Sequence, residues 1–203
     1  MKIAVRIARA RRSIRHLLRD QRGISAVEFG MLAPLMAILY LGGVEISQGI
    51  AIDRKVTLVT RTLGDLTSQA IKLSSSDVSG IFLASSAVVA PYDGSKLTIK
   101  LTSVKVDSQG NAKVAWSDGW TNGALMQTVP YSVGSSVTLD SALKVANTYL
   151  IRAEVTYDYV SPTNIGHGGL GHYIINDRLL NNTLFMRPRM SDCVLRDGVQ
   201  TTC

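Results

Sequence analysis

The chain has 203 residues, of which 46% are hydrophobic, and its 22 Lys and Arg residues outnumber 15 Asp and Glu residues to give a net charge of +7. This excess lies entirely in residues 1–22, which hold eight of the basic residues and one acidic residue, so the rest of the chain has fourteen of each. The distribution argues against a nucleic-acid-binding protein, whose folded body would carry a basic patch of its own.

An apolar run follows this basic leader directly. Residues 29–44 contain no charged side chain, but a helix of that length covers about 24 Å, less than the roughly 30 Å hydrocarbon core of a bilayer. The run therefore needs its flanks, Val27 and residues 46–52, and these bring Glu28 and Glu45 into the span. A basic block before an apolar span predicts one membrane-crossing helix, with the leader in the cytoplasm and the following chain exported.

The two glutamates of this span differ in what they require. A carboxylate inside a membrane costs about 2.5–3.5 kcal/mol on insertion scales, so it needs a partner or a function. For Glu45, a place near the far interface is a sufficient explanation. Glu28 needs another one, because a plain membrane anchor would lose nothing with Ala or Leu at that position.

The residues around Glu28 resemble a processing site. Gly23, Glu28 and Phe29 are similar to the motif of type IV pilin-like proteins, in which a prepilin peptidase cuts after the glycine and glutamate is the fifth residue of the mature chain. The resemblance implies that Ile24 becomes the new N-terminus. Its amine would then pair with Glu28 of a neighbouring subunit, which would relieve the cost of an unpaired charge in hydrocarbon.

A wider pattern resembles one family in particular, the TadE family, minor pseudopilins of tight-adherence (Flp) pilus systems. The shared features are Ala26-Val27, Pro34, Glu45, residues 153–159 with Pro162, and the ending at residues 185–189. The resemblance implies a protein of the bacterial inner membrane with a periplasmic C-terminal domain and no cofactor. Its implied partners are a prepilin peptidase, the major pilin, other minor pseudopilins, an inner-membrane assembly platform and membrane lipid.

Three other interpretations of the N-terminus stay open. An Arg-rich start also fits an organellar transit peptide, although that does not explain the apolar span behind it. A secretory signal would be cleaved at a small-residue site, of which residues 41–44 are a poor version. The third alternative is an uncleaved anchor carrying a periplasmic binding or sensor domain.

Two helices are predicted beyond the span. Apolar residues recur at spacings near three and four up to about residue 70, which predicts that the first helix continues out of the bilayer: Ile50, Val56, Val59, Leu63 and Leu66. A second helix is predicted from Asp77 to about Val89, with Ser76 as its N-cap. Pro91 and Gly94 mark the turn that follows.

The remaining chain predicts an antiparallel sheet. Residues 97–106 and 113–116 form a hairpin, interrupted by a break in alternation at Thr102-Ser103, and the strongest strand covers residues 149–160. Residues 117–140 are assigned to loops with a short edge segment at 129–133, followed by a short helix near residues 139–146 and a last strand near residues 183–189. The prediction is an α+β fold, with a leader (1–23), a transmembrane helix with its extension (24–70), and a periplasmic domain (71–203) whose sheet packs on helices.

The two cysteines, Cys193 and Cys203, lie ten residues apart in a polar tail. In an oxidising compartment they could close a small loop that staples the tail but not the core, and two free thiols are the alternative. In the same tail, the default interpretation of Arg187 and Arg189 is a salt bridge or a solvated position. Tyr157 and Tyr159 are expected to be core residues.

Catalysis is not predicted. His167 and His172 flank a glycine-rich loop but lack further ligands at metal-binding spacing, so no metal site is assigned. The loop also lacks the Lys-Ser/Thr ending of a phosphate-binding loop. An enzyme would require a pocket that gathers the two histidines with a carboxylate such as Asp158 or Asp177.

Overall fold

The fold combines one long apolar helix with an antiparallel sheet, and is therefore α+β as predicted. The computed structural model describes residues 22–160 and 178–203. The chain divides into two units, residues 1–44 and residues 45–203. We call residues 23–44 the apolar segment and residues 45–203 the C-terminal unit.

The first helix, α1, covers Arg22–Ser68 and runs through Pro34. Its continuation to about residue 70 is confirmed. Within the C-terminal unit α1 is amphipathic, and the face that carries Ile52, Val56, Val59 and Leu63 is buried. This face forms one wall of the core.

The second helix, α2, covers Ser75–Ala87 and follows the short strand β1 (Lys72–Leu73). Its N-cap is Ser74, so the assignment of Ser76 as the cap was wrong. The reason is a capping box: Ser74 Oγ accepts from the backbone N–H of Asp77, and the Asp77 carboxylate accepts from the Ser74 backbone N–H. Asp77 therefore lies in the first turn and does not begin the helix.

A five-stranded antiparallel sheet has the order β4-β3-β2-β5-β6. Its strands are β2 (Leu97–Val106), β3 (Ala112–Thr121), β4 (Ala124–Leu125), β5 (Thr148–Tyr159) and β6 (Arg178–Met186). A separate parallel pair joins β1 to β7 (Leu195–Arg196). The predicted hairpin and the strand at 149–160 are confirmed.

Several predicted boundaries were wrong. β3 continues to Thr121, where a loop was predicted, and the predicted edge segment at 129–133 is not a strand. The helix expected near residues 139–146 is a single 3-10 turn, Ser141–Leu143. The last long strand begins at Arg178 and ends at Met186, both earlier than predicted. Beyond its end, the backbone N–H of Arg189 donates to Ser68 O at the end of α1 instead of to the sheet.

The main core lies between the helices and one face of the sheet. β5 contributes Ile151, Ala153, Val155, Tyr157 and Tyr159, all buried in one cluster with α1 and α2. Tyr157 and Tyr159 are thereby confirmed as core residues.

At the break in alternation at Thr102-Ser103, the apolar side chains of β2 change from one face of the sheet to the other. Leu101 belongs to the main core, whereas Val104 belongs to a second cluster on the opposite face with Leu139 and Leu150. The pairing of β2 with β3 shifts register at the same place, between Ser103 and Val104. Because side chains alternate between the faces of a sheet, β2 supplies apolar residues to both of them.

Candidate assembly site and the C-terminal unit

The apolar segment presents its side chains to the surroundings. None of residues 23–44 is buried. The large apolar side chains exposed here are Ile24, Val27, Phe29, Met31, Leu32, Leu35, Met36, Ile38, Leu39, Tyr40 and Leu41. An apolar surface of this extent marks an interaction with a membrane or with other protein.

The length of the segment fits a bilayer. The helix to which it belongs is the one in the described part of the chain that is long and apolar enough to cross a membrane. From Gly23 to Val44 a helix covers about 33 Å, which matches a hydrocarbon core of about 30 Å.

The predicted site residues lie in the first two turns of α1. Gly23, Ile24, Glu28 and Phe29 are all exposed, and nothing lies within 4 Å of the place where a Cβ of Gly23 would be. Ile24 and Glu28 are four residues apart and so share one face of the helix. Glu28 is the only charged residue between Gly23 and Val44, so this face holds a single carboxylate in apolar surroundings.

Glu45 lies in a different environment from Glu28. It belongs to the C-terminal unit, where it is 9% exposed. Burial, together with the nearby carboxylate of Glu45, raises the pKa of Tyr159. Glu45 is therefore part of the packed structure of that unit.

Comparison with models of known protein families, with curated proteins and with solved structures gives no match in any of the three.

The cysteines are joined, and they do more than staple the tail. Cys193 and Cys203 form a disulfide with their Cα atoms 5.7 Å apart. Cys193 and Val194 are fully buried, and the indole N–H of Trp116 donates to Val194 O at 2.7 Å. The expectation that the loop would leave the core untouched was wrong, because the chain enters the core at Val194.

Next to this point lies an ion pair between the buried Arg196 and the partly buried Asp118, which sequence reasoning missed. Arg196 donates from Nε to Asp118 Oδ2 at 2.8 Å and from Nη2 to Asp118 Oδ1 at 3.2 Å. Its Nη2 also lies 3.3 Å from Ser75 Oγ, in the first turn of α2. The guanidinium thus joins the sheet, α2 and β7 in one network, and no motif or spacing in the sequence signals it.

A second polar cluster lies on the sheet face opposite the helices. Arg152 and Glu154 form an ion pair at 2.6 Å, and the guanidinium of Arg152 lies 5.2 Å from the ring centre of Tyr131. Lys100 approaches the same ring at 5.5 Å. Burial and the Glu154 carboxylate raise the pKa of Tyr131. The contacts fix the loop that carries Tyr131 over the sheet.

The other predicted residues have structural positions or lie outside the described residues. Arg189 pairs with Asp65 at 2.9 Å on the surface, and Arg187 is exposed, so both match their default interpretation. His167, His172 and Asp177 lie outside the described residues, and Asp158 is exposed. In residues 22–160 and 178–203 no three His, Cys, Asp or Glu side chains are grouped as metal ligands would be.

Proposed function

We propose that this chain is a minor pseudopilin of a tight-adherence (Flp) pilus assembly system, which supports pilus biogenesis and adhesion. One observation carries the proposal: the exposed apolar segment holds a single carboxylate, Glu28, five residues after Gly23. The buried core of the C-terminal unit begins at Ile52. The apolar segment therefore serves an association outside the fold of that unit.

Processing and assembly follow from the chemistry of this segment. A prepilin peptidase cleaves the bond between Gly23 and Ile24 and removes the basic leader. The new α-amine is positively charged at neutral pH, and in an apolar bundle it pairs with Glu28 of a neighbouring pilin subunit. The apolar surface packs against major and minor pilins after extraction from lipid by the inner-membrane assembly platform.

The disulfide supports an exported C-terminal unit. Structural disulfides persist in oxidising compartments such as the periplasm and are rare in the cytosol. The basic leader supports the same topology, since positively charged flanks stay in the cytoplasm. On this proposal residues 45–203 face the periplasm.

Mass determination of the protein from its native membrane tests the processing step. We expect loss of residues 1–23 in cells that contain the prepilin peptidase, and the full-length mass in cells that lack it. A full-length mass in both would favour an uncleaved anchor that carries a periplasmic binding or sensor domain.

Substitution of Glu28 tests the assembly step. We expect Glu28→Leu to leave membrane insertion intact but to impair piliation, because the amine of the adjacent subunit loses its counter-charge. Met31→Leu, which changes a similarly exposed residue of the same segment, is the matched control and should leave piliation unchanged. Normal piliation with Glu28→Leu would contradict the proposed pairing.

A further inference from the structure

The two edges of the five-stranded sheet differ in how far other segments cover them. The β3 edge is covered by residues 124–137. Met126 N donates to Gly119 O, Val114 N to Ser135 O, and Val137 N to Ala112 O, at 2.8–2.9 Å. These bonds satisfy backbone groups that would otherwise be available to another strand.

The β6 edge lacks such a cover in the part of the chain that the structure describes. β6 (Arg178–Met186) is the last strand of the sheet order, and no backbone hydrogen bond from another described segment reaches it. Its pairing with β5 has no bulge. Apart from Arg178 at its start, β6 contains no charged residue and no proline. Charges, proline and bulges are the usual protections of an exposed edge, so this edge is suited to accept a strand.

A groove lies beside this edge, between β6 and α1. It is lined by Arg61, Thr62 and Asp65 from the helix and by Leu184 and Met186 from the strand. A strand added to β6 would direct alternate side chains toward this groove, and such pockets provide specificity in strand addition.

The charges around the groove are predominantly positive. Asp65 is already paired with Arg189. Arg61 and Arg187 are exposed, and neither forms an ion pair with a described residue. A complementary segment would therefore carry carboxylates next to the apolar side chains that contact Leu184 and Met186.

We propose that the β6 edge and its groove bind an extended acidic segment of a partner protein, which adds to the sheet as an antiparallel or parallel strand. Backbone hydrogen bonds to β6 supply the affinity, apolar side chains contact Leu184 and Met186, and a carboxylate pairs with Arg61. This interaction goes beyond the proposed assembly function and does not depend on cleavage after Gly23.

The test uses the full chain in detergent micelles and short synthetic peptides that are blocked at both ends. In these peptides every second residue is alternately valine and glutamate and the residues between them are threonine, so that one face of the added strand carries both kinds of side chain. We expect the labelled peptide to bind in fluorescence anisotropy and to slow hydrogen exchange of the amides of residues 180–186. A peptide of the same sequence with alternate backbone nitrogens methylated should not bind, because it cannot pair with a strand.

Charge reversal identifies the groove as the binding site. We expect Arg61→Glu to lower the affinity for the acidic peptide about fivefold and to raise the affinity for a matched peptide with lysine in place of glutamate. Arg54→Glu, an exposed position of α1 that does not line the groove, is the control and should have a smaller effect.

Three results would overturn the proposal. The first is absence of peptide binding. The second is binding that Arg54→Glu weakens as much as Arg61→Glu without protection of β6, which would indicate nonspecific charge attraction. The third is concentration-dependent protection of β6 without peptide, accompanied by dimerisation, which would assign the edge to a second copy of this chain.

Discussion

The two parts of α1 use apolar side chains in opposite ways. In the apolar segment Phe29 is 70% exposed and Leu39 is 67% exposed, whereas in the C-terminal unit Val56, Val59 and Leu63 are completely buried. One helix therefore contains a part whose apolar side chains are buried within the fold and a part whose apolar side chains are exposed to the surroundings.

The sequence pattern explains the difference. Between residues 46 and 68 the apolar residues share the helix with five charged ones, Asp53, Arg54, Lys55, Arg61 and Asp65. This gives an amphipathic helix with one apolar face for the core. Between residues 24 and 44 apolar residues occur all round the helix and Glu28 is the only charge. A helix that is apolar on every side is buried by a membrane or by other proteins.

The largest expected effect on stability comes from Phe82 in the C-terminal unit, for which Phe29 of the apolar segment is the control. Phe82 is fully buried and lies 5.9 Å from Trp120 between ring centres. We expect Phe82→Ala to lower the free energy of unfolding by about 3–5 kcal/mol, through lost burial and a cavity. Urea unfolding of the full chain in micelles, followed by tryptophan fluorescence, measures it, because both tryptophans lie in the C-terminal unit.

Phe29→Ala is the matched control in the apolar segment. We expect a change of less than about 0.5 kcal/mol in the same measurement, since Phe29 is exposed. A similar loss from both substitutions would mean that the apolar segment stabilises the C-terminal unit, and the contrast between the two parts of α1 would fail.

The second effect concerns the ion pair of Arg196 and Asp118, whose side chains are 8% and 18% exposed. We expect Arg196→Met to destabilise the C-terminal unit by about 3 kcal/mol in the same urea titration, because it leaves the largely buried Asp118 without its partner. The neighbouring surface pair of Lys72 and Asp197 is 58% and 45% exposed. Asp197→Asn should therefore cost less than about 1 kcal/mol, and equal losses would contradict the role of burial.

Much of the fold was predictable from periodicity. The 3.6-residue period placed the continuation of α1, and the alternation at residues 149–160 placed β5 and its buried face, because both patterns record which side of an element is covered. The α+β class followed from two helices and then strands.

The predictions that failed concern features that depend on side-chain geometry or on contacts between distant residues. Neighbouring serines offer several hydroxyls, and the choice of Ser74 over Ser76 depends on the geometry of Asp77. The Arg196–Asp118 pair joins residues 78 positions apart, and the burial of Val194 depends on an indole far along the chain. For the candidate site, the sequence supplied Gly23 and Glu28 by resemblance, whereas the exposure of the segment around them required the structure.

The third effect tests close packing at Gly119. A Cβ at this position would lie 2.8 Å from Pro130 Cγ, so we expect Gly119→Ala to destabilise by about 1–3 kcal/mol through overpacking. Gly80 in α2 has nothing within 4 Å of its would-be Cβ, and Gly80→Ala should stabilise by about 0.5–1 kcal/mol. Thermal unfolding of both variants tests whether the two changes in stability have opposite signs. Destabilisation by Gly80→Ala would show that α2 is covered on that side.

The fourth effect compares two serines at the start of α2. Ser74→Ala removes the N-cap and should cost about 1 kcal/mol. Ser76 makes a hydroxyl contact with Ser74 at 2.8 Å but caps no backbone N–H, so Ser76→Ala should cost clearly less in the same urea titration. The reverse order would restore the cap that the sequence indicated.

The smallest effect is a pH dependence at the same cap. Hydrogen bonds from the side chain and backbone of Ser74 lower the pKa of Asp77, so the charged carboxylate is favoured in the folded state. The contribution of Asp77 to stability is therefore fully present above its unfolded pKa of about 3.9 and is lost as the pH falls through the lower folded value. We expect Asp77→Asn to be less stable than the unmodified chain at neutral pH, with the gap closing below about pH 4. Urea unfolding midpoints of the two proteins, measured at neutral pH and below about pH 4, test this. A difference in stability of the same size at both pH values would mean that the carboxylate charge contributes nothing to the cap.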